Sequence, residues 1–518
     1  MKLKFVFTGL FGLFSLSVTN AQSLTVSEVD YLNHRDIGTV TINGNRSHYM
    51  FHLNTKKLEN KQSEGVITFL DGDLSVLKKE TFILGKDDTF LDIKNNGNRI
   101  IASFHNIPKE TTTLRVYSDK GELVKTKELK VPKEVFAPQF YKWAEKIADL
   151  SLVYPITNKG FLFTEVARKK RIGYNFHFLA DDESKNWVYE SPKDHNNKKT
   201  AAPLFANDDI VVIMEKEWGS VYDKQPTFKA IVLDANTGKE LFSTGHAYET
   251  VPNFYTKAFV NQEGEIILFG ETYELNNNYP DNDYNNGYFI EKYSRTGESL
   301  GQNKVSFKDF NFKKTLGFSP ETKPKEMGTI FFYSLAASEG KYYAIGETAR
   351  REKQGFTIAK GLLVTSIGTF SSTNWQSKYT MENMIVLEFD ENMKHTATHK
   401  LPKESTLTGL NSIVVRPYFN LTEMEYDGKL DYLFQTTNNH RLESAFYLDQ
   451  KAEAGKTTGI IKKARLENDK FTVSDFITFS TDNKEGDFYV LPADNNSILL
   501  IKYDQTKKSA KLEILKGS

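Results

Sequence analysis

Short apolar runs separated by breaks rich in Gly, Asn and Asp follow one another along almost the whole chain. Two of them are near copies: Glu265–Thr272 reads EIILFGET and Lys341–Thr348 reads KYYAIGET. Each is followed by a second strand-like run and a tight turn, GYFIEKYSRTGESL from Gly287 and NMIVLEFDENMKHT from Asn383. Looser copies begin at Asn98, Lys159, Asp209, Lys429 and Asn496, and a further unit lies near Arg46. The runs are nearly continuous rather than alternating, which is the pattern of strands buried on both faces.

The units recur at roughly 50 to 90 residues, the size of a four-stranded blade with variable loops rather than of a helical solenoid repeat. The pattern predicts an all-β fold, a β-propeller of four-stranded blades. Eight blades are counted, or seven if the unit near Arg46 is not one. In each, the GET-type run is taken as the second strand. The last unit, Asp487–Leu515, offers three strands, and an early strand near Leu24–Asp30 is expected to supply the fourth, closing residues 22–518 into a single propeller. One stretch breaks the pattern: after Pro138, residues Phe140, Trp143, Ala144 and Ile147 recur at helical spacing and predict a short bridging helix.

The start of the chain differs from the rest. Lys2 and Lys4 precede an apolar stretch from Phe5 to Val18, and Thr19-Asn20-Ala21-Gln22 follows, the layout of a signal peptide cut after Ala21. This predicts an extracytoplasmic protein, periplasmic or secreted. No later stretch approaches the roughly 20 apolar residues of a membrane helix, so no transmembrane segment is expected in the mature chain. The absence of cysteine excludes disulfides, thiolate metal sites and thiol nucleophiles. Lys plus Arg equals Asp plus Glu at 67 each, without a basic block, which argues against nucleic acid as a partner. The 25 Tyr and 38 Phe suit short strands packed face to face.

The signal ending in Asn-Ala-Gln and the repeated GET strands resemble uncharacterised secreted β-propeller proteins of Bacteroidetes-type bacteria, a resemblance that implies fold and compartment but no activity. The turn Leu233-Asp234-Ala235-Asn236-Thr237-Gly238-Lys239-Glu240-Leu241-Phe242 resembles the repeat of quinoprotein-type propellers, with Phe242 where that repeat has Trp. It occurs convincingly once, so no quinone cofactor is expected. The stretch Tyr117–Gly121 lacks the spacing and the Trp of a sialidase-type turn.

Aligning the second strands by their first residue places Glu165, Glu215, Glu271, Glu347, Gln435 and Lys502 at one point of six units, with His52 there in the first. Four carboxylates in one ring would bind cations, cationic ligands or sugars, and crowding of like charge would raise some of them toward acid–base use. The alternative is that each carboxylate clamps the ring by accepting N–H bonds from an adjacent blade. Repetition of one residue type favours architecture, since a catalytic centre needs different groups in different roles. Asp281, Asp283 and Asn285, in the long loop after the first GET strand, are closely spaced oxygen donors and the candidate Ca²⁺ ligands. His48 with His52, and His395 with His399, lie in expected strands. There, four-residue spacing separates side chains by about 13 Å, too far to share a metal. No phosphate-binding loop and no Gly-x-Ser-x-Gly elbow occurs.

The reading with most support is a non-enzymatic binding or scaffold module for a protein, peptide or glycan. The alternative is a glycan-active hydrolase or lyase using ring carboxylates, with Glu271 and Glu347 the first pair to consider.

Overall fold

The computed structural model describes residues 22–517 except 43–44, 107, 131–152, 170, 193–197, 219–226, 247–252, 274–285, 309, 318, 320, 323–328, 354–376, 404–407, 413–430, 439–440, 454–455, 482–486 and 494–495. The expected signal peptide, the helix expected after Pro138 and the Ca²⁺ candidates Asp281, Asp283 and Asn285 lie outside the described residues.

Among the described residues there are five sheets of four strands, one of five and one of nine. The nine-stranded sheet is two blades joined through a single parallel pairing, Ala337 with Arg441. The chain is thus an eight-bladed β-propeller. Its first strands are Ile37–Ile42, Asp88–Asn95, Val153–Ile156, Lys198–Ala206, Asn253–Val260, Thr329–Ser338, Tyr432–Asn438 and Asp487–Ala493. Successive blades contact each other through these strands, while Thr329–Ser338 of blade six also meets Arg441–Glu453 of blade seven, and the last blade meets the first, so the ring is closed. The fourth strand of blade eight is Ser23–Ser27, which pairs antiparallel with Ser509–Glu513, Ser23 opposite Glu513 and Ser27 opposite Ser509. The unit near Arg46 is blade one, which settles the count at eight.

Each of the eight seams between neighbouring blades holds its own apolar cluster. Phe51 and Phe69 of blade one, for instance, pack on Ile93, Ile100 and Tyr117 of blade two. Met50 and Leu70, on the opposite face, pack on Leu499 and Ile501 of blade eight. This is why second strands read as unbroken apolar runs: odd positions fill one seam and even positions the next. Burying each such side chain contributes roughly 1.5–3 kcal/mol.

The turn between third and fourth strands repeats. An Asp or Ser side chain accepts backbone N–H bonds two to four residues on, as Asp71 does from Ser75 at 2.8 Å and Asp390 from Lys394 at 2.8 Å. The turn requires a left-handed residue, Gly238 at φ +68° in blade four. At Gly238 an added Cβ would lie 2.4 Å from Trp187 Cε3. Trp187, from the preceding blade, also donates its Nε1–H to Ala235 O at 3.0 Å. Phe242 in turn lies against the corresponding Gly297 of blade five, where an added Cβ would be 2.7 Å from its Cγ. Leu74 (φ +64°) and Met393 (φ +64°) take the left-handed position in blades one and six, and both side chains are buried in a seam, which offsets the strain.

One strand assignment is corrected. Gln435 lies on the first strand of blade seven, Tyr432–Asn438, not on the second. The second strand is Arg441–Glu453, which carries the buried Asp449.

Candidate functional site

The pairing of second with third strands gives each blade a common origin. Its first partnered residues are Ser47, Ile100, Gly160, Ile210, Ile266, Tyr342, Ser444 and Ser497. Five residues on stand His52, His105, Glu165, Glu215, Glu271, Glu347, Asp449 and Lys502, one ionisable residue per blade. His105 and Asp449 are the two members that sequence alignment missed. His105 was signalled by IIASFH, which matches IILFGE residue for residue in length; Asp449 was hidden because the apolar run LDYLFQT belongs to the first strand.

Equal position along the strand does not bring the carboxylates to one surface. Glu215 shares its face with Val211 and Ile213, which pack on blade three, and Glu165 shares its face with Phe161 and Phe163, which pack on blade two. Glu271 shares its face with Ile267 and Phe269, which pack on blade six, and Glu347 with Tyr343 and Ile345, which pack on blade seven. Glu165 and Glu215 thus face the preceding blade, and Glu271 and Glu347 the following one. The four glutamates occupy four different seams.

Each is closed off by its own partners. Glu215 is buried, accepts from Tyr174 Oη of blade three at 2.7 Å and pairs with Lys199 Nζ at 3.2 Å. Burial and then Glu215 push the Tyr174 hydroxyl well above its ordinary pKa. Glu165, half-buried, meets His177 Nε2 at 2.6 Å and accepts from Asn175 Nδ2 at 3.1 Å. Glu347, fully buried, accepts from Tyr333 Oη at 2.7 Å, Lys403 Nζ at 2.8 Å and the Asp431 N–H at 3.3 Å. Glu271 is 4% exposed and accepts a short bond from Tyr273 Oη. No two of the four share a partner among the described residues. The partners are chiefly side chains, not the backbone amides that the clamp reading expected.

The Glu271 carboxyl is raised toward neutrality, to about 7. The cause is burial, partly opposed by the Tyr273 hydrogen bond, and not crowding by other carboxylates. Of the remaining members, His52 is buried with its Nδ1 lacking a hydrogen-bond partner among the described residues, and burial lowers its pKa to about 4. Asp449 pairs with Lys462 at 3.5 Å and Lys502 with Glu513 at 3.6 Å. Both His48 and His52 lie on Asn45–Lys57, while His395 and His399 lie on His395–Leu401. His399 meets Glu388 at 2.8 Å. Among the described residues no group of three or more His, Asp or Glu is arranged to hold a metal, and no helix is long and apolar enough to cross a membrane.

Eight antiparallel blades joined in a ring through apolar seams define the class: a β-propeller. The chain belongs to a family of unknown function, DUF6770, whose model matches residues 1–516. No curated protein matches it. Among solved structures it is similar to Sqt1 of Saccharomyces cerevisiae, at 9% identity and TM-score 0.44, covering 96% of this chain and 99% of that one. It is also similar to the WD40 domain of SCAP from fission yeast, at 8% identity and TM-score 0.39, covering 95% of this chain and 98% of that one. A third is the polysaccharide lyase Uly1, at 11% identity and TM-score 0.37, covering 82% of this chain and 89% of that one.

Proposed function

We propose that the protein is an extracytoplasmic, non-catalytic propeller that binds a protein, peptide or glycan through the loops of one face. The observation that carries this reading is the fate of the carboxylates at the repeated position: Glu165, Glu215, Glu271 and Glu347 point into four separate seams, each satisfied by its own partners. A glycosidase needs two carboxyl groups facing one bond at roughly 5–9.5 Å. A scaffold needs its ionisable groups paired and its loops free to vary. The layout of residues 1–21 supports export.

The test is a thermal-shift screen of the chain starting at Gln22 against peptide and glycan panels, with Ca²⁺ and EDTA arms, since ligand binding to the native state raises the melting temperature. The expected result is a shift with one panel that persists in Glu271→Gln and Glu347→Gln, without turnover of the ligand. Product formation lost in either variant would replace this reading with the second one, a glycan-active hydrolase or lyase. That second reading rests on Glu271, whose carboxyl, raised to about 7 beside Tyr273, has the protonation a general acid needs.

A further inference from the structure

The seam between blades six and seven carries buried charge that its apolar cluster does not need. That cluster, Tyr343, Ile345, Met384 and Val386 against Ala445 and Tyr447, ends at Glu347. Lys403, two residues beyond the fourth strand of blade six, turns inward. Its side chain is 2% exposed, lies 2.8 Å from Glu347 and makes a short contact with Asp431 Oδ2. Asp431 is 1% exposed and directly precedes the first strand of blade seven. Its N–H donates to Glu347 Oε2 at 3.3 Å and its C=O accepts from Leu448 N–H at 2.7 Å. Tyr447 Oη, on the second strand of blade seven, donates to Pro402 O at 2.9 Å. The strand end of one blade and the strand start of the next are thus tied through three ionisable groups.

The charge count does not close with these three groups ionised. Among the described residues two carboxylates face one ammonium, and Asp431 Oδ1 is buried with no hydrogen-bond partner. An unbalanced charge buried in a seam costs several kcal/mol. The nearby acids have cations of their own: Asp449 pairs with Lys462 at 3.5 Å, and Glu388 with Lys341 at 3.1 Å and His399 at 2.8 Å. Tyr333 donates its proton to Glu347 and stacks on Tyr432, centroids 4.7 Å apart at 6°, so it does not neutralise the dyad. A proton is the smallest charge that would balance the group.

We propose that Asp431, beside Glu347, holds one exchangeable proton, and that the two carboxyls and Lys403 form a proton-dependent clasp joining blades six and seven. Burial, and then the neighbouring Glu347, hold the Asp431 carboxyl well above the usual carboxylate range, in agreement with the charge count. Lys403, although burial opposes it, is raised by Glu347 and Asp431 and keeps its charge throughout. An acid raised on folding contributes stability below its unfolded pKa and loses it as pH rises through the folded value. The clasp is therefore closed in mild acid and loosens toward alkaline pH, first where Asp431 enters blade seven.

Hydrogen exchange on the full chain between pH 6 and 9, corrected for the intrinsic pH dependence, reads this at the Asp431 and Leu448 amides. Loss of one proton predicts protection falling by up to about tenfold per pH unit. Asp431→Asn, which imitates the neutral acid, and Glu347→Gln, which removes the second carboxylate, should each flatten the slope. A pH-independent wild type, or a slope retained in either variant that folds, overturns the proposal. So does opening caused by replacing Na⁺ with choline at constant pH, which would identify a monovalent metal ion as the balancing charge.

Discussion

Acid should open the ring at the seam where its two ends meet, because two histidines buried there cannot charge without leaving it. His48 and His52 share the face of Asn45–Lys57 that bears Met50, and Met50 packs on Leu499 and Ile501 of blade eight. His48 is 2% exposed and His52 3%. Burial first, and then Arg46, lower the His48 pKa from 6.5 to about 4, with Asp71 opposing; burial and Lys79 lower that of His52 from 6.5 to about 4. A histidine depressed on folding contributes stability that is complete above 6.5 and lost as pH falls toward 4, since the unfolded chain takes up the proton first. A fall of that size corresponds to roughly 3 kcal/mol per histidine, and roughly 6–7 kcal/mol for both as an upper bound. Urea unfolding at pH 7, 6, 5 and 4.5 measures the loss. The double variant His48→Gln, His52→Met should lose stability over this range by about two protons fewer than the wild type. Hydrogen exchange at the pairing of Ser23–Ser27 with Ser509–Glu513 should locate the early opening. An acid slope unchanged in the double variant would refute the reasoning.

Three further outcomes follow from the other seams. Glu271→Gln should gain stability relative to wild type between pH 5 and pH 8 by roughly 3 kcal/mol in urea titrations, because a carboxyl raised to about 7 loses its contribution as pH rises from 4.5. Tyr174→Phe removes the 2.7 Å bond to Glu215 and should cost about 1–3 kcal/mol in the same assay, less if Lys199 takes up the vacated lone pair. Gly238→Ala should lower stability by more than about 1 kcal/mol, since it combines a left-handed backbone with a Cβ placed 2.4 Å from Trp187; a neutral result would show that the aromatic contact across the seam is dispensable.

The strands, the turns and the eight-fold repetition were legible in the sequence because they depend on local chemistry. A run such as IILFGET is apolar at successive positions because both its faces are buried, and an Asp–x–x–x–Gly turn is fixed by one side chain and one left-handed residue. The reach of Leu24 toward the last unit was legible for the same reason: blade eight had three strands and an unpaired edge. The single recurring position also showed in the sequence, in the repeated Glu of the GET strands. What that position does was decided only in three dimensions. Glu215 faces the preceding blade and Glu271 the following one, and which of its two seams a side chain enters leaves no mark on an apolar run buried on both faces. Gln435 was misplaced because a first and a second strand are equally apolar when both lie between blades. Lys403 and Asp431 gave no periodic signal at all. They lie outside the repeat, 56 and 84 residues from Glu347, and only the closing of blade seven onto blade six brings the three charges together.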